Sequence, residues 1–170
     1  PGLEVQGAVL PVTFQGVAPK LRELLDGEER TPELILGMGV HAGSTYRLES
    51  KANAVLKSLK EDNDGVIASK LGPLSAGNRA TRIDMELAVE ILSGVARSEV
   101  EHSEDAGGFV CECAYHAILS EALRGDSRGL FLHLPPLDVI PLTEQIEVVR
   151  SFLGQFVPAL RYGCAEVDPG

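Results

Sequence analysis

The amino-acid sequence predicts a three-layer α/β/α sandwich built on a mostly parallel open sheet, of the kind found in phosphorylase/hydrolase-like folds. Short apolar runs of strand length alternate with segments of about 10 to 15 residues that have helical spacing. The chain has 170 residues, 44% of them hydrophobic, which is enough for one well-packed domain. We therefore expect a single domain over residues 1–170, with helices on both faces of the sheet.

The first half of the chain is predicted to contain two strands and two helices. Residues 3–13 form an apolar run that predicts a strand, and residues 17–25 place leucines and a valine at helical spacing. Residues 33–39 predict a short buried strand, and residues 48–59 again have helical character. Residues 61–78 are polar and glycine-rich, and a loop of that length is usually functional or mobile.

The second half continues the alternation of helices and strands. Asp84 is a good N-cap for an amphipathic helix, and Thr143 is a plausible cap for the last one. An apolar run that begins at Leu130 stops at two prolines, which predicts a short buried strand. The predicted elements are a helix over 84–97, a strand over 98–102, a helix over 109–123, a strand over 130–134 and a helix over about 142–156.

Composition excludes several classes of function. The net charge of −10 and the scattered lysines argue against a nucleic-acid partner, which needs clustered Lys and Arg. No apolar run approaches the roughly 20 residues of a membrane span, and no signal peptide is recognisable. Three cysteines, two of them one residue apart, make a poor disulfide framework. We therefore expect a cytoplasmic protein without a membrane partner.

The most informative segment is residues 105–115, DAGGFVCECAY. Its small-residue turn brings Cys111 to the first turn of the predicted helix, where the helix dipole favours a thiolate. His133 ends the buried strand that follows, and a nucleophilic cysteine needs a nearby base. In an open sheet, sites form where loops leave the carboxyl ends of strands, so Cys111, His133 and Glu49 could face one crevice. Glu49 could then fix the tautomer of His133.

Each of these residues also has a simpler explanation. A free cysteine is more often a small buried hydrophobe than a nucleophile, and a histidine in an apolar strand is more often a hydrogen-bonded core residue. Glu49 taken alone resembles a residue on the surface of a helix. A metal site formed by Cys111, Cys113, His116 and His133 is less favoured, because structural zinc sites usually space paired cysteines by two to four residues.

Taken together, these segments resemble the pyroglutamyl peptidase I family of cysteine exopeptidases. The resemblance runs along most of the chain and rests on five motifs in the family's order: VLPVTF at 9–14, LESKA at 48–52, DNDG at 62–65, AGGFVC at 106–111 and FLHLPP at 131–136.

The resemblance implies a cysteine peptidase that removes N-terminal pyroglutamate from peptides. It implies Cys111 as nucleophile, His133 as base and then acid, and Glu49 as the orienting acid. Phe109, Val110 and Thr13 are the implied substrate-binding residues. No metal and no cofactor are implied, and a homo-oligomer is expected.

The sequence also departs from the family's pattern. Glu112 stands where Asn or Asp usually follows the nucleophile, Leu59 replaces an arginine, and His41 is unexpected. The family's first strand and its glycine-rich loop have no counterpart, so we expect a further segment of roughly 20 to 40 residues before Pro1. These departures leave an alternative, a catalytically impaired homologue with a binding or assembly role.

Overall fold

The computed structural model describes residues 2–74 and 77–162 of the chain. Helices and strands alternate along most of this length, with a short 3₁₀ turn at Ala68–Lys70. In chain order they are α1 Val17–Asp26, β1 Leu34–Val40, β2 Tyr46–Glu49, β3 Lys51–Ala52, β4 Arg79–Ala80, α2 Met85–Val95, β5 Val100–Ser103, α3 Val110–Ala122, β6 Arg128–Leu134 and α4 Leu142–Tyr162.

The main sheet has four strands in the order β1-β6-β2-β5. The β1–β6 and β2–β5 pairs are parallel, and the central β6–β2 pair is antiparallel. In register, Gly39 lies opposite His133 on β6, and His133 lies opposite Arg47 on β2. β3 and β4 form a separate two-stranded antiparallel sheet. The mostly parallel sheet is confirmed, and its one antiparallel pair decides how the site is assembled.

Strand β6 shows why helices cover both faces of the sheet. Successive side chains of a strand point to opposite faces, and all of Leu130, Phe131 and Leu132 are buried. Phe131 belongs to the core that includes residues of α1 and α3. Leu130 and Leu132 belong to a second core with residues of α2 and α4, where Phe152 and Phe156 are fully buried. The predicted three-layer sandwich is therefore confirmed.

The helix predictions that rest on capping and periodicity agree with the structure. The carboxylate of Asp84 accepts hydrogen bonds from the backbone N–H groups of Glu86 and Leu87, at 3.0 and 3.2 Å, and so caps α2 as expected. The helix carrying Cys111 begins at Val110, close to the predicted start. The last helix, α4, is longer than predicted and extends to Tyr162.

Two predicted elements are wrong. Residues 3–13 form no strand: the described residues provide no neighbouring strand for them, and Val5 and Val9 are exposed. Residues 48–59 form no helix, because Leu48 and Glu49 complete β2 between two neighbouring strands. The remainder is β3 and irregular chain, with Leu59 exposed. In both segments the availability of pairing partners overrides local spacing.

None of the helices within the described ranges combines the length and the hydropathy that a membrane-spanning segment requires.

Candidate active site

Glu49 and His133 form a buried pair across the central strands of the sheet. Because β2 and β6 are antiparallel with Glu49 opposite Phe131, the side chains of Glu49 and His133 lie diagonally on one face. Oε1 of Glu49 is 2.8 Å from Nδ1 of His133. The glutamate is fully buried and the histidine is 5% exposed. A carboxylate in this position fixes the ring tautomer and leaves Nε2 for another partner.

Cys111 reaches this pair from the start of α3. The turn before the helix uses Gly107 and Gly108, whose φ angles of 93° and 65° lie in the region that favours glycine. A Cβ placed on Gly39 would lie 2.8 Å from Sγ of Cys111 and 3.3 Å from Cδ2 of His133. The thiol and the imidazole therefore approach the same point of β1, and only a glycine leaves room for them.

The environment of His133 favours its protonated form. Burial alone lowers the pKa of His133, but hydrogen bonds to Cys111 and Glu49 and the charges of both groups raise it more. The result is a pKa of about 9. An imidazolium between a carboxylate and a sulfur atom is the arrangement that stabilises a thiolate.

Cys111 is the second residue of α3, and this position adds two further effects. The first N–H groups of a helix have no partner within the helix, and the helix dipole places partial positive charge there. Both effects favour negative charge at this end of the helix. The backbone N–H of Cys111 is also free of the helical ladder, so it can donate to an oxyanion that forms next to the sulfur.

Glu112 does not point at the thiol. It is fully buried, and its two carboxylate oxygens accept hydrogen bonds from the backbone N–H groups of Asn53 at 2.6 Å and Gly108 at 3.0 Å. Burial raises the pKa of Glu112, these hydrogen bonds lower it, and the net shift is upward. Glu112 thus ties the turn that precedes Cys111 to the chain that follows β3, an arrangement related to a capping box.

The three predicted substrate-binding residues lie around one aromatic pair. Phe109 is half-buried, and its ring meets the ring of Phe14 edge-on with centroids 5.4 Å apart. Val110 is buried in the same core, and Thr13 is buried with its Oγ1 accepting from the N–H of Gly16. The sequence interpretation gave no role to Phe14; its place in the first motif was the available signal.

Asp62, from the third motif, DNDG, explains how Phe14 is held. One carboxylate oxygen accepts from the N–H of Phe14 at 2.8 Å, and the other accepts from Asp64 and Val66 at 2.9 Å. Burial raises the pKa of Asp62, but these three backbone donors lower it more, so it stays ionised. The motif therefore acts on the site indirectly, by fixing the segment that carries Phe14.

Two polar residues near His133 were not predicted as site residues. The ring of His41 lies 5.9 Å from that of His133 and is held by Gly43 N–H at Nδ1 and by the carbonyl of Thr45 at Nε2. Arg47, opposite His133 on β2, forms an ion pair with Glu101. His41 was noted only as unexpected, and the signal for Arg47 is its alternation with Glu49 along one strand.

The site is assembled differently from the expected arrangement at the carboxyl ends of parallel strands. β2 and β5 run opposite to β1 and β6, so the chain leaves β2 at the other end of the sheet from β6. Glu49 and His133 meet because they are neighbours within the sheet, and the turn after Ser103 carries Cys111 to them.

The four residues of the alternative metal site do not converge, because Cys113 and His116 have partners away from Cys111 and His133. The Cys113 thiol donates to the carbonyl of Phe14, and burial raises its pKa to about 11. Nε2 of His116 pairs with the carbonyl of Gly77. Among the described residues, no group of three or more His, Cys, Asp or Glu side chains could hold a metal ion.

Sequence comparison finds relatives in two species of Saccharolobus. The chain is 32% identical over 141 residues to a pyrrolidone-carboxylate peptidase of Saccharolobus islandicus (strain L.S.2.15 / Lassen #1), covering 78% of this chain and 63% of that protein. It is 30% identical over 137 residues to pyrrolidone-carboxylate peptidase 1 of Saccharolobus solfataricus, with the same coverage. The chain thus spans less than two thirds of the length of the curated relatives it matches. No family model matches the chain.

Comparison with solved structures gives the same family. A pyrrolidone carboxyl peptidase from Fervidobacterium islandicum AW-1 superposes with a TM-score of 0.70 at 25% identity, covering 85% of this chain and 77% of that one. For the enzyme from Thermococcus litoralis the TM-score is 0.79 at 17% identity, covering 98% and 83%, which supports the fold alone. The sequence relatives, the shared fold and the motifs agree, and the chain is similar to the pyroglutamyl peptidase I, or pyrrolidone-carboxylate peptidase, family.

Proposed function

We propose that this chain is a thiol exopeptidase that removes N-terminal pyroglutamate from peptides by acyl transfer. The observation that carries the proposal is the alignment of Glu49, His133 and Cys111 at the start of α3, with the histidine between the acid and the thiol. The names of the relatives support the same substrate. The chemistry requires neither a metal nor a cofactor, since the thiolate is the nucleophile and the imidazolium supplies the proton.

In the first half of the proposed reaction, the Cys111 thiolate attacks the exocyclic carbonyl carbon of the pyroglutamyl residue. A C–S bond forms, and the carbonyl oxygen becomes an oxyanion that accepts from the N–H of Cys111. His133 donates its proton to the amide nitrogen, the C–N bond breaks, and the shortened peptide leaves as an amine. Glu49 holds the ring in place and stabilises its charge until the proton is transferred.

In the second half, water hydrolyses the thioester. Neutral His133 takes a proton from water, and the hydroxide equivalent attacks the thioester carbon. The C–S bond then breaks, free pyroglutamate leaves, and the thiolate and imidazolium are restored. The same histidine thus acts as acid in one half and base in the other.

The proposed binding site for the lactam ring lies beside the pair Phe109 and Phe14, with Val110 and Thr13 next to them. A pyroglutamyl ring is small and mostly apolar, so an aromatic wall binds it, and its N–H and C=O need a few fixed hydrogen bonds. A blocked N-terminus carries no ammonium group, so an acidic anchor is not required. Asp62 supports this arrangement because its oxygen holds the N–H of Phe14.

We also propose a reducing, cytoplasmic environment and a homo-oligomeric assembly. The nucleophile must stay reduced, and Cys111 and Cys113 are free thiols. Exposed apolar side chains on β1 and α4, among them Met38, Leu142 and Ile146, line a shared groove. Sedimentation equilibrium of the native protein tests the assembly: we expect a mass above that of one chain, and a monomer at micromolar concentration would contradict it.

The activity is tested by release of a chromogenic amine from a pyroglutamyl amide. The prolyl amide of the same amine is the matched control, because its ring has the same size but lacks the lactam carbonyl. We expect turnover of the pyroglutamyl amide only, and its loss after treatment with iodoacetamide. Absence of turnover by the folded protein would favour the impaired homologue, and turnover that resists alkylation would exclude a thiol mechanism.

A further inference from the structure

A cavity of about 310 Å³ lies between α1 and α3, and Cys111, His133 and Glu49 are not among the residues that line it. Its described lining includes three arginines, Arg22, Arg79 and Arg124, and a single carboxylate, Glu121. This concentration of positive charge contrasts with the net charge of −10 of the whole chain. An accumulation of guanidinium groups in a concave site is typical of anion recognition.

Arg79 is the residue that distinguishes this cavity from an ordinary charged surface. It lies on the short strand β4 and is half-buried, and its Nε is buried without an acceptor. Its guanidinium makes no hydrogen bond or ion pair with any residue that the structure describes. A buried donor without an acceptor is costly, and native proteins usually satisfy such a group with a partner, an ion or a ligand.

The nearby acid does not neutralise the cavity. Oε1 of Glu121 is 3.2 Å from Nη2 of Arg22 and 2.9 Å from Nη1 of Arg124, so one carboxylate is shared by two guanidinium groups. The carboxylate is thus engaged away from Arg79. Three positive charges face one negative charge, and the excess is positive.

We propose that this cavity binds a small organic oxyanion, a carboxylate or a phosphate ester, with Arg79 donating to its oxygens. A guanidinium offers a planar fork of N–H donors that matches two oxygens of such a group. The apolar side chains of Ala18, Leu74 and Ala117 line the same cavity and suit a short aliphatic stem. The volume lies at the lower end of ligand pockets, which limits the ligand to a small molecule.

This binding site is separate from the thiol site and independent of the proposed peptidase activity. Cys113 lines the cavity, but Cys111, His133 and Glu49 do not, and Cys111 is hydrogen-bonded to His133 instead. Cys111→Ser should therefore leave anion binding unchanged. Failure of the peptidase assay and failure of anion binding are two distinguishable results.

Isothermal titration calorimetry with glycerol 3-phosphate and with succinate, at constant ionic strength, tests the proposal. We expect saturable binding of at least one probe and none of glycerol, the neutral control. Arg79→Gln should weaken binding at least about tenfold, because it removes the charge and the fork. Arg97→Gln removes the same charge from an exposed arginine that does not line the cavity, and should change the affinity less than about twofold.

Two results would overturn the proposal. One is the absence of saturable binding of either probe to the folded protein at millimolar concentration, and the other is unchanged affinity in folded Arg79→Gln. If Arg79→Gln fails to fold, the double variant Arg22→Gln/Arg124→Gln decides the matter. Both residues are exposed, so the fold should tolerate the change. Affinity should again fall about tenfold, and unchanged affinity would contradict the proposed site.

Discussion

His133 holds its proton because it lies between two groups that gain from its charge. Its pKa of about 9 predicts the alkaline limit of activity, since in the proposed reaction the imidazolium supplies the proton for the leaving amine. We expect kcat/KM for a pyroglutamyl amide to fall as the pH rises through about 9. In Glu49→Gln this alkaline fall in kcat/KM should move to lower pH, because Glu49 contributes to the raised pKa of His133. If the fall stays at the same pH in Glu49→Gln, Glu49 does not raise the pKa of His133.

The same pKa affects stability in a defined direction. The pKa of His133 is raised above its ordinary value of 6.5, so its protonated form stabilises the folded state below pH 6.5. That contribution is lost as the pH rises through about 9. The thermal midpoint of the native protein should therefore fall across this interval, and should fall less in His133→Ala.

The acid and the base should differ in their kinetic importance. His133→Ala removes the proton donor and the partner of the thiolate, and we expect a loss of about 10³-fold or more in kcat. Glu49→Gln leaves the imidazole present but poorly oriented, and we expect a loss of about 10- to 100-fold. Steady-state kinetics on both folded variants checks the order. A larger loss in Glu49→Gln would mean that the carboxylate does more than orient the ring.

At the scale of elements, the start of α3 is fixed by Glu112. Glu112 departs from the family's pattern, and a carboxylate here would oppose thiolate formation if it faced the thiol, but the structure turns it toward two backbone N–H groups. Glu112→Gln should therefore lower kcat/KM rather than raise it, because one backbone donor then faces an amide NH₂. The lost hydrogen bond should cost about 1–3 kcal/mol, or several degrees in thermal midpoint. Higher activity in the variant would show instead that the charge of Glu112 opposes the thiolate.

Helix capping and apolar periodicity, which are patterns within one segment, predicted most of the helices correctly. The helices beginning near Asp84 and Val110 agree with the sequence because capping and periodicity lie within each segment. The segment at Leu48 did not become a helix, because pairing with β5 and β6 decides its conformation, and no local pattern records those neighbours. The apolar run at Leu130 predicted a strand correctly. The direction in which its neighbours run could not be predicted, because no local pattern records it.

The site divides in the same way. Cys111, His133 and Glu49 could be selected because each lies in a short motif with a chemical reason. Phe14 and Arg47 had only weak signals and were not selected, since their places depend on the hydrogen bond to Asp62 and on antiparallel register. We expected the three residues to meet at the carboxyl ends of parallel strands. They do meet, but Glu49 and His133 are neighbours on antiparallel strands within the sheet.

At the scale of the whole molecule, two cores on opposite faces of one sheet hold the pair Glu49–His133 in place. Both residues lie on strands buried from both sides, so their geometry depends on packing more than on loops. The cysteine arrives instead on a helix that begins after a glycine turn. The proposed enzyme therefore combines a rigid acid–base pair with a nucleophile whose approach depends on one turn.

The most direct measurement of the central claim compares two serine variants in the pyroglutamyl amide assay. Cys111→Ser should lose turnover with little change in thermal midpoint. A serine hydroxyl is a far weaker nucleophile than a thiolate, and His133 is too weak a base to ionise it. Cys113→Ser should keep at least about a tenth of the native rate, since its thiol faces the carbonyl of Phe14 and lies outside the proposed chemistry. Equal losses in the two variants, or undiminished turnover in Cys111→Ser, would contradict the assignment of Cys111 as the nucleophile.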